Sequence, residues 1–142
     1  MAMTQGAVLQ VAAELANLGV IRHFVEERAT GLKFDRNVIE DMLQAVEEAV
    51  ANTILHGYNR RPGEIQVVVH SEESGLVVQL RDRAPHFDPT GFPPPDLTLP
   101  LEERRPGGLG IYLMRKFTDT VTYRVTSDGR NELTLVKKQP VI

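Results

Sequence analysis

Between Pro85 and Pro106 the chain reads PHFDPTGFPPPDLTLPLEERRP, and this stretch holds seven of the nine prolines in 142 residues. Each proline fixes φ and removes a backbone donor, so the run can propagate neither a helix nor a central strand. Regular structure must be built on either side of an irregular segment of about 20 residues. A loop that long is a lid or a binding loop within one compact domain, or else a linker between two. The linker reading leaves only 36 residues after Pro106, too few for an independent core without staples. One domain over 1–142, with a lid over about 84–106, is the expectation.

Before the loop the pattern turns from helical to extended. Ala7 to Ala13 reads as a short strand with Leu9 and Val11 on one side, and Asn17 to Ala29 as a helix with Leu18, Ile21, Phe24, Val25 and Arg28 at turn spacing. Asp35 stands at an N-cap position for a long helix ending near Gly57. Its apolar residues Ile39, Met42, Leu43, Val46, Val50, Thr53 and Ile54 fall on one stripe. Glu64 to Ser71 and Leu76 to Asp82 read as strands joined by a turn from Ser71 to Gly75. After the loop come a helix from about Leu109 to Phe117 and a hairpin, Val121 to Thr126 and Leu133 to Val136, around a Ser127-Asp128-Gly129-Arg130-Asn131 turn. Successive hairpins favour an α+β two-layer sandwich, a mixed and largely antiparallel sheet covered on one face by helices, over a doubly wound fold.

Cysteine is absent, which excludes thiol redox chemistry, cysteine zinc sites and a disulfide framework and fits a reducing compartment. No apolar run approaches the roughly 20 residues that span a bilayer, and the start lacks a signal-peptide pattern; a cytoplasmic protein with no membrane partner is expected. A net charge of −3, no tryptophan and 6% aromatic residues argue against a nucleic-acid binder, which needs a basic footprint or stacking platforms. His23, His56, His70 and His86 are scattered without metal-ligand spacing.

Three short segments carry the chemistry. On a helical wheel with Ile39 at zero, Glu48 and Asn52 lie outside the apolar stripe on a shared face. A glutamate there is either simply solvated or functional. Asn52 is a mediocre helix former, but its amide oxygen is a hard ligand for Mg²⁺, and a carboxylate one turn away can deprotonate a hydroxyl. Along the second strand Leu76, Val78, Leu80 and Asp82 share a face, so Asp82 is aimed inward. A buried carboxylate needs a partner, either a neighbouring arginine or the exocyclic amine of a purine. Gly107, Gly108 and Gly110 open the helix after the loop, and amides at such an N-terminus hold phosphate; glycines there also serve as plain hinges. Arg104 and Arg105 are close upstream, either solvated or in reach of a terminal phosphate.

With these residues in view, EEAVANTILHGY resembles the N box of the GHKL ATPase superfamily, which includes histidine kinases, gyrase, Hsp90 and the mismatch-repair ATPases. The chain is most similar within it to the anti-sigma factor serine/threonine kinases, through RDRAPHFDP, GGLGIYLMRKFTDTVTYR and GRNELTLVKK, over nearly its whole length. The resemblance implies the histidine-kinase-like (Bergerat) ATPase fold. It implies that Glu48 is the general base and Asn52 the Mg²⁺ ligand, that Asp82 receives the adenine amine of ATP, and that Gly107, Gly108 and Gly110 form the phosphate-covering loop. Arg105 would contact phosphate and the proline-rich segment would be the ATP lid. The implied substrate is a serine or threonine on a STAS-type anti-sigma factor antagonist, with a sigma factor as the other partner and a homodimer as the assembly.

The chain departs from the family's adenine box at Ala84, which stands where the first glycine is usual. A positive φ there would cost an alanine about 1 kcal/mol or more; an ordinary φ would leave only a methyl group approaching the base, so nucleotide binding is expected to be weakened and not abolished. A non-catalytic interaction protein of the same fold is the first alternative. The second is a detached histidine-kinase catalytic domain, ranked lower for want of a helical phosphoacceptor segment.

Overall fold

A computed structural model of the chain describes residues 6–73, 75–91, 98, 100 and 108–139. The elements run β1 (Ala7–Ala12), α1 (Leu18–Gly31), α2 (Arg36–Asn52), β2 (Glu64–Glu72), β3 (Gly75–Asp82), α3 (Gly108–Phe117), β4 (Thr120–Val125) and β5 (Asn131–Lys138). The strands form one sheet in the order β1-β2-β3-β5-β4, and every pairing is antiparallel. The α+β sandwich is thus as expected, with no parallel pair among the described strands. The lid expected over about 84–106 lies largely outside the described residues.

Period-2 alternation sorts the sheet into two faces. One row across all five strands is Leu9, Val67, Leu80, Leu133 and Tyr123, and these side chains join the core under the helices. The opposite face carries Gln10, Gln66, Arg81, Glu132 and Arg124 in register. There Glu132 is 2% exposed, clamped by the Nε groups of Arg81 and Arg124, each at 2.6 Å. Burial pushes its carboxyl pKa up, but the two guanidinium groups outweigh burial and hold it below the usual range.

The long helix has more buried surface than one stripe. Val38, Ile39, Met42, Leu43, Val46 and Val50 are buried, and so are Ala45 and Ala49. These two alanines share a flank with Asn52, and their small side chains let α3 approach α2. On the other flank α1 is tied to α2 by Arg22–Glu47 at 2.6 Å and Arg36–Glu26 at 2.8 Å. Asp35 is at the N-cap with extended backbone, but its carboxylate makes no capping bond; its N–H donates instead to Gln139 Oε1 at 2.7 Å. No helix among the described residues is long and apolar enough to cross a membrane.

The α-helix stops at Asn52, earlier than the stripe predicts, and Thr53–Gly57 continues as one wider π-helical turn. Such turns insert a residue and re-aim the side chains that follow. Asn59 and Arg60 then adopt left-handed φ of 54° and 61°, and the chain reverses toward β2. Buried Tyr58 anchors this reversal: its hydroxyl donates to the Glu64 carbonyl at 2.7 Å and accepts the Arg83 N–H at 2.8 Å. Gly63 lies flat on the ring, where a Cβ would fall 2.2 Å from Cε1.

Removing the clamped carboxylate leaves two guanidinium groups without their acceptor. Glu132→Ala is expected to cost roughly 2–3 kcal/mol in urea unfolding at neutral pH. Because the folded pKa is lowered, this stabilisation is present above the unfolded glutamate value of about 4.3 and is lost as pH falls through the folded value, so the variant and wild type converge in acid.

Candidate functional site

The last residue of β3 and the first of β5 face each other under the helices. Cross-strand register pairs Asp82 with Asn131, and Asn131 Nδ2 donates to Asp82 Oδ1 at 2.9 Å and to the Ala84 carbonyl at 2.9 Å. The Ala84 N–H donates to the same Asp82 oxygen at 2.9 Å, and the Tyr123 hydroxyl bonds Asn131 Oδ1. Asp82 has no ion pair among the described residues; the neighbouring Arg81 and Arg83 pair with Glu132 and Asp128 instead. One carboxylate oxygen holds both donors; the other has no hydrogen-bond partner among the described residues. Burial raises the Asp82 pKa above its ordinary value, against the lowering effects of Asn131, the Ala84 N–H and the charge of His86.

Asp82 and Asn52 wall one cavity, together with Thr53, Gly57, Ala84 and Leu133. The third segment arrives through α3: a Cβ at Gly110 would sit 3.7 Å from Asn52 Oδ1. Gly108 is the first residue of α3, while Gly107 and Arg105 lie outside the described residues. Asn52, Asp82 and Gly110, from three separate stretches of sequence, therefore converge, with the first turn of α3 beside the asparagine and the aspartate on the same cavity; Glu48 is not among the residues that line it.

Asn52 and Glu48 are both half-buried, and neither side chain has a hydrogen bond or ion pair among the described residues. Burial is the larger cause of a raised Glu48 pKa, and the neighbouring Glu47 adds to it. A carboxylate in that state is a stronger proton acceptor than a solvated one. The described residues contain no cluster of three His, Cys, Asp or Glu able to hold a metal ion. A single amide oxygen suits an ion that brings most of its ligands with it, as Mg²⁺ does with substrate phosphates and water.

Ala84 is 5% exposed and is not among the non-glycine residues with positive φ. It carries no backbone strain, and its Cβ lies 3.4 Å from where a Cβ on Gly57 would be. Sequence reasoning missed Asn131 and Tyr123. Asn131 was expected in the turn, yet continuing the alternation of β5 back from Leu133 puts it on the face of Asp82.

Residues 11–137 match the family described as histidine kinase-like ATPase domain. The chain is 29% identical over 117 residues to the serine-protein kinase RsbW of Bacillus thuringiensis (strain Al Hakam) and to that of Bacillus cereus (strain 03BB102), covering 80% of this chain and 73% of each relative. Its fold is similar to a crystal structure of the RsbU and RsbW domains of a Mycobacterium tuberculosis protein, with a TM-score of 0.62 and 16% identity, over 94% of this chain and 32% of the other. This chain spans about a third of that longer one.

Asp82→Asn offers an oxygen to the same two donors and removes the buried charge. Since the folded pKa of Asp82 is raised, its ionisation opposes folding as pH rises through that value. The variant is expected to melt at the same temperature as wild type or higher at pH 7, and to lose that advantage below about pH 3.9, the unfolded aspartate value, as read by thermal unfolding across pH.

Proposed function

The chain belongs to the histidine kinase-like ATPase domain family, and on that premise we propose that it is an anti-sigma factor serine/threonine kinase. In this reading it binds Mg·ATP, phosphorylates a STAS-type anti-sigma factor antagonist in a bacterial partner switch, and holds a sigma factor as its other partner. The observation that carries the proposal is the single cavity walled by Asp82 and Asn52, with Gly110 of α3 against the Asn52 amide.

The uncommitted oxygen of Asp82 accepts the exocyclic amine of adenine, while Leu133 and Ala84 give the base an apolar wall. A base with a carbonyl at that position would set acceptor against acceptor. Asn52 would hold Mg²⁺, which neutralises phosphate charge when bound. Backbone amides of Gly107, Gly108 and Gly110 would receive the phosphates at the start of α3, with Arg105 as a further phosphate contact. Glu48 takes the proton from the attacking hydroxyl of the antagonist's serine or threonine. Its half-buried setting favours this, because desolvation raises its affinity for that proton. The working assembly is proposed to be a homodimer in the cytoplasm.

Transfer of γ-phosphate to the cognate antagonist is the direct test. Wild type should yield phosphoserine or phosphothreonine, and Glu48→Gln should lower kcat by about 10²- to 10⁴-fold while ATP affinity changes by less than about threefold. An inactive wild type that still binds its partner would make the chain an interaction protein of this fold. Asn52→Ala should abolish the Mg²⁺-dependent part of ATP affinity in calorimetric titrations with and without the ion; an unchanged Mg²⁺ effect would remove Asn52 as the ligand.

A further inference from the structure

We propose that Asn131 is the positioning residue that sets nucleobase choice at this site, acting through Asp82, and that Tyr123 fixes which way the Asn131 amide points. This rests on the reading of Asp82 as acceptor for an adenine amine.

Asn131 is 7% exposed and its amide is fully used. The two Nδ2 hydrogens go to Asp82 Oδ1 and the Ala84 carbonyl, each at 2.9 Å, and Oδ1 receives the Tyr123 hydroxyl. Turning the amide over would set its oxygen against two acceptors. The Tyr123 hydroxyl has a single proton to give, and its bond to Asn131 Oδ1 uses it. The network therefore admits one amide orientation.

That orientation has a chemical consequence at Asp82. Both donors reach Oδ1, so the second oxygen remains a pure acceptor. A buried carboxyl stripped of a donor shifts toward its protonated form, and a protonated carboxyl can donate to a 6-oxo purine as readily as it accepts from a 6-amino one. Asn131 is the largest influence opposing the effect of burial on Asp82. Selection of adenine over hypoxanthine or guanine is thus maintained from β5, by a residue that need not touch the base. The other titratable groups around Asp82 are His86 on the loop and Tyr123 on β4, with Asp88 beyond. On the adjoining cavity it meets Tyr58, Glu64, Arg81, Arg83 and Arg130. The residues that α2 and the π-helical turn bring to the site's own cavity, Ala49, Asn52, Thr53 and Gly57, are all uncharged.

The β4–β5 hairpin also fixes the loop that follows Asp82. Arg83 bonds the Asp128 carbonyl at 3.2 Å, Asn131 bonds the Ala84 carbonyl, and His86 Nε2 meets the Gly129 carbonyl at 2.7 Å. The base end of the cavity is held in place by protein contacts alone.

Affinities of the full chain for ATP and ITP, which differ in the 6-substituent and in N1, an acceptor in adenine and an N–H donor in hypoxanthine, test this alongside the NMR titration of the Asp82 carboxyl carbon without nucleotide. Wild type should favour ATP by at least about tenfold. Asn131→Leu should reduce that preference to within about threefold, chiefly by loss of ATP affinity, and move the Asp82 titration to higher pH. Tyr123→Phe, which deletes one hydroxyl, should shift both readouts in the same direction by less and serves if the leucine variant does not fold. Equal losses for ATP and ITP with an unmoved Asp82 signal would reduce Asn131 to a structural role and overturn the proposal alone. A wild type that binds ITP as well as ATP, or neither, would overturn the reading of Asp82 and the proposal with it.

Discussion

The helix α2 is wedged between the sheet and two flanking helices, and that burial leaves little of its surface for chemistry. Eight of its residues are buried, and each large apolar side chain taken out of water contributes about 1.5–3 kcal/mol. The register of α2 is therefore fixed by its core face long before any ligand is considered. What remains is the strip between α1 and α3, where Glu48 and Asn52 lie one turn apart. Because α3 closes on the flank bearing Ala45 and Ala49, its glycine-bearing N-terminus is delivered beside Asn52. A bulkier residue at 45 would hold α3 off and separate the two halves of the site without changing any residue along the cavity wall, whereas one at 49 would also intrude on the cavity that Ala49 lines.

The sheet sets the other end of the site by a different rule. Antiparallel register places Asp82 and Asn131 opposite each other, and strict alternation sends both toward the helices while Arg81 and Glu132 turn to the uncovered face. The two pairs are each other's complement across the sheet: one is a clamped ion pair, the other a carboxylate held by an amide. A slip of one residue of β5 against β3 would turn Glu132 under the helices and Asn131 to the opposite face, leaving Asp82 without its amide donor and Arg81 without its carboxylate. The pairing of half-buried Arg81 with buried Glu132 favours the register that brings Asp82 opposite Asn131, and Tyr58 ties the end of the π-helical turn to the Glu64 carbonyl of β2 and the Arg83 N–H that follows β3.

Most of this was legible in the sequence because it rests on local periodicity. The stripe on α2, the alternation ending at Asp82 and the proline run each report a short-range constraint, and each predicted element is present where the chain is described. Three features were not legible. The π-helical turn at Thr53–Gly57 keeps Ile54 buried, so the apolar stripe looks continuous through a change of helix type. The second buried face of α2 consists of alanines, which are uninformative in a hydrophobic pattern but decisive for how closely α3 packs. Asn131 was hidden by its chemistry, since asparagine after Asp-Gly-Arg reads as turn, and only the pairing with Asp82 makes it the start of a strand. Tertiary contact, not propensity, assigns its state.

Ala84 shows how the fold settles a question that sequence can only pose. A glycine expected at that position raises two separate physical costs, strain if φ is positive and crowding if it is not, and these have different remedies. The loop adopts an ordinary φ, so strain is absent. Crowding is then a matter of who else occupies the space, and one neighbour is Gly57, where an added Cβ would meet Ala84 Cβ at 3.4 Å. A glycine at the end of the π-helical turn leaves room that the alanine on the facing loop takes up. The methyl group of Ala84 and Gly57 thus stand on the same stretch of the cavity wall, and the alanine is accommodated there while the backbone that presents Asp82 keeps an ordinary φ.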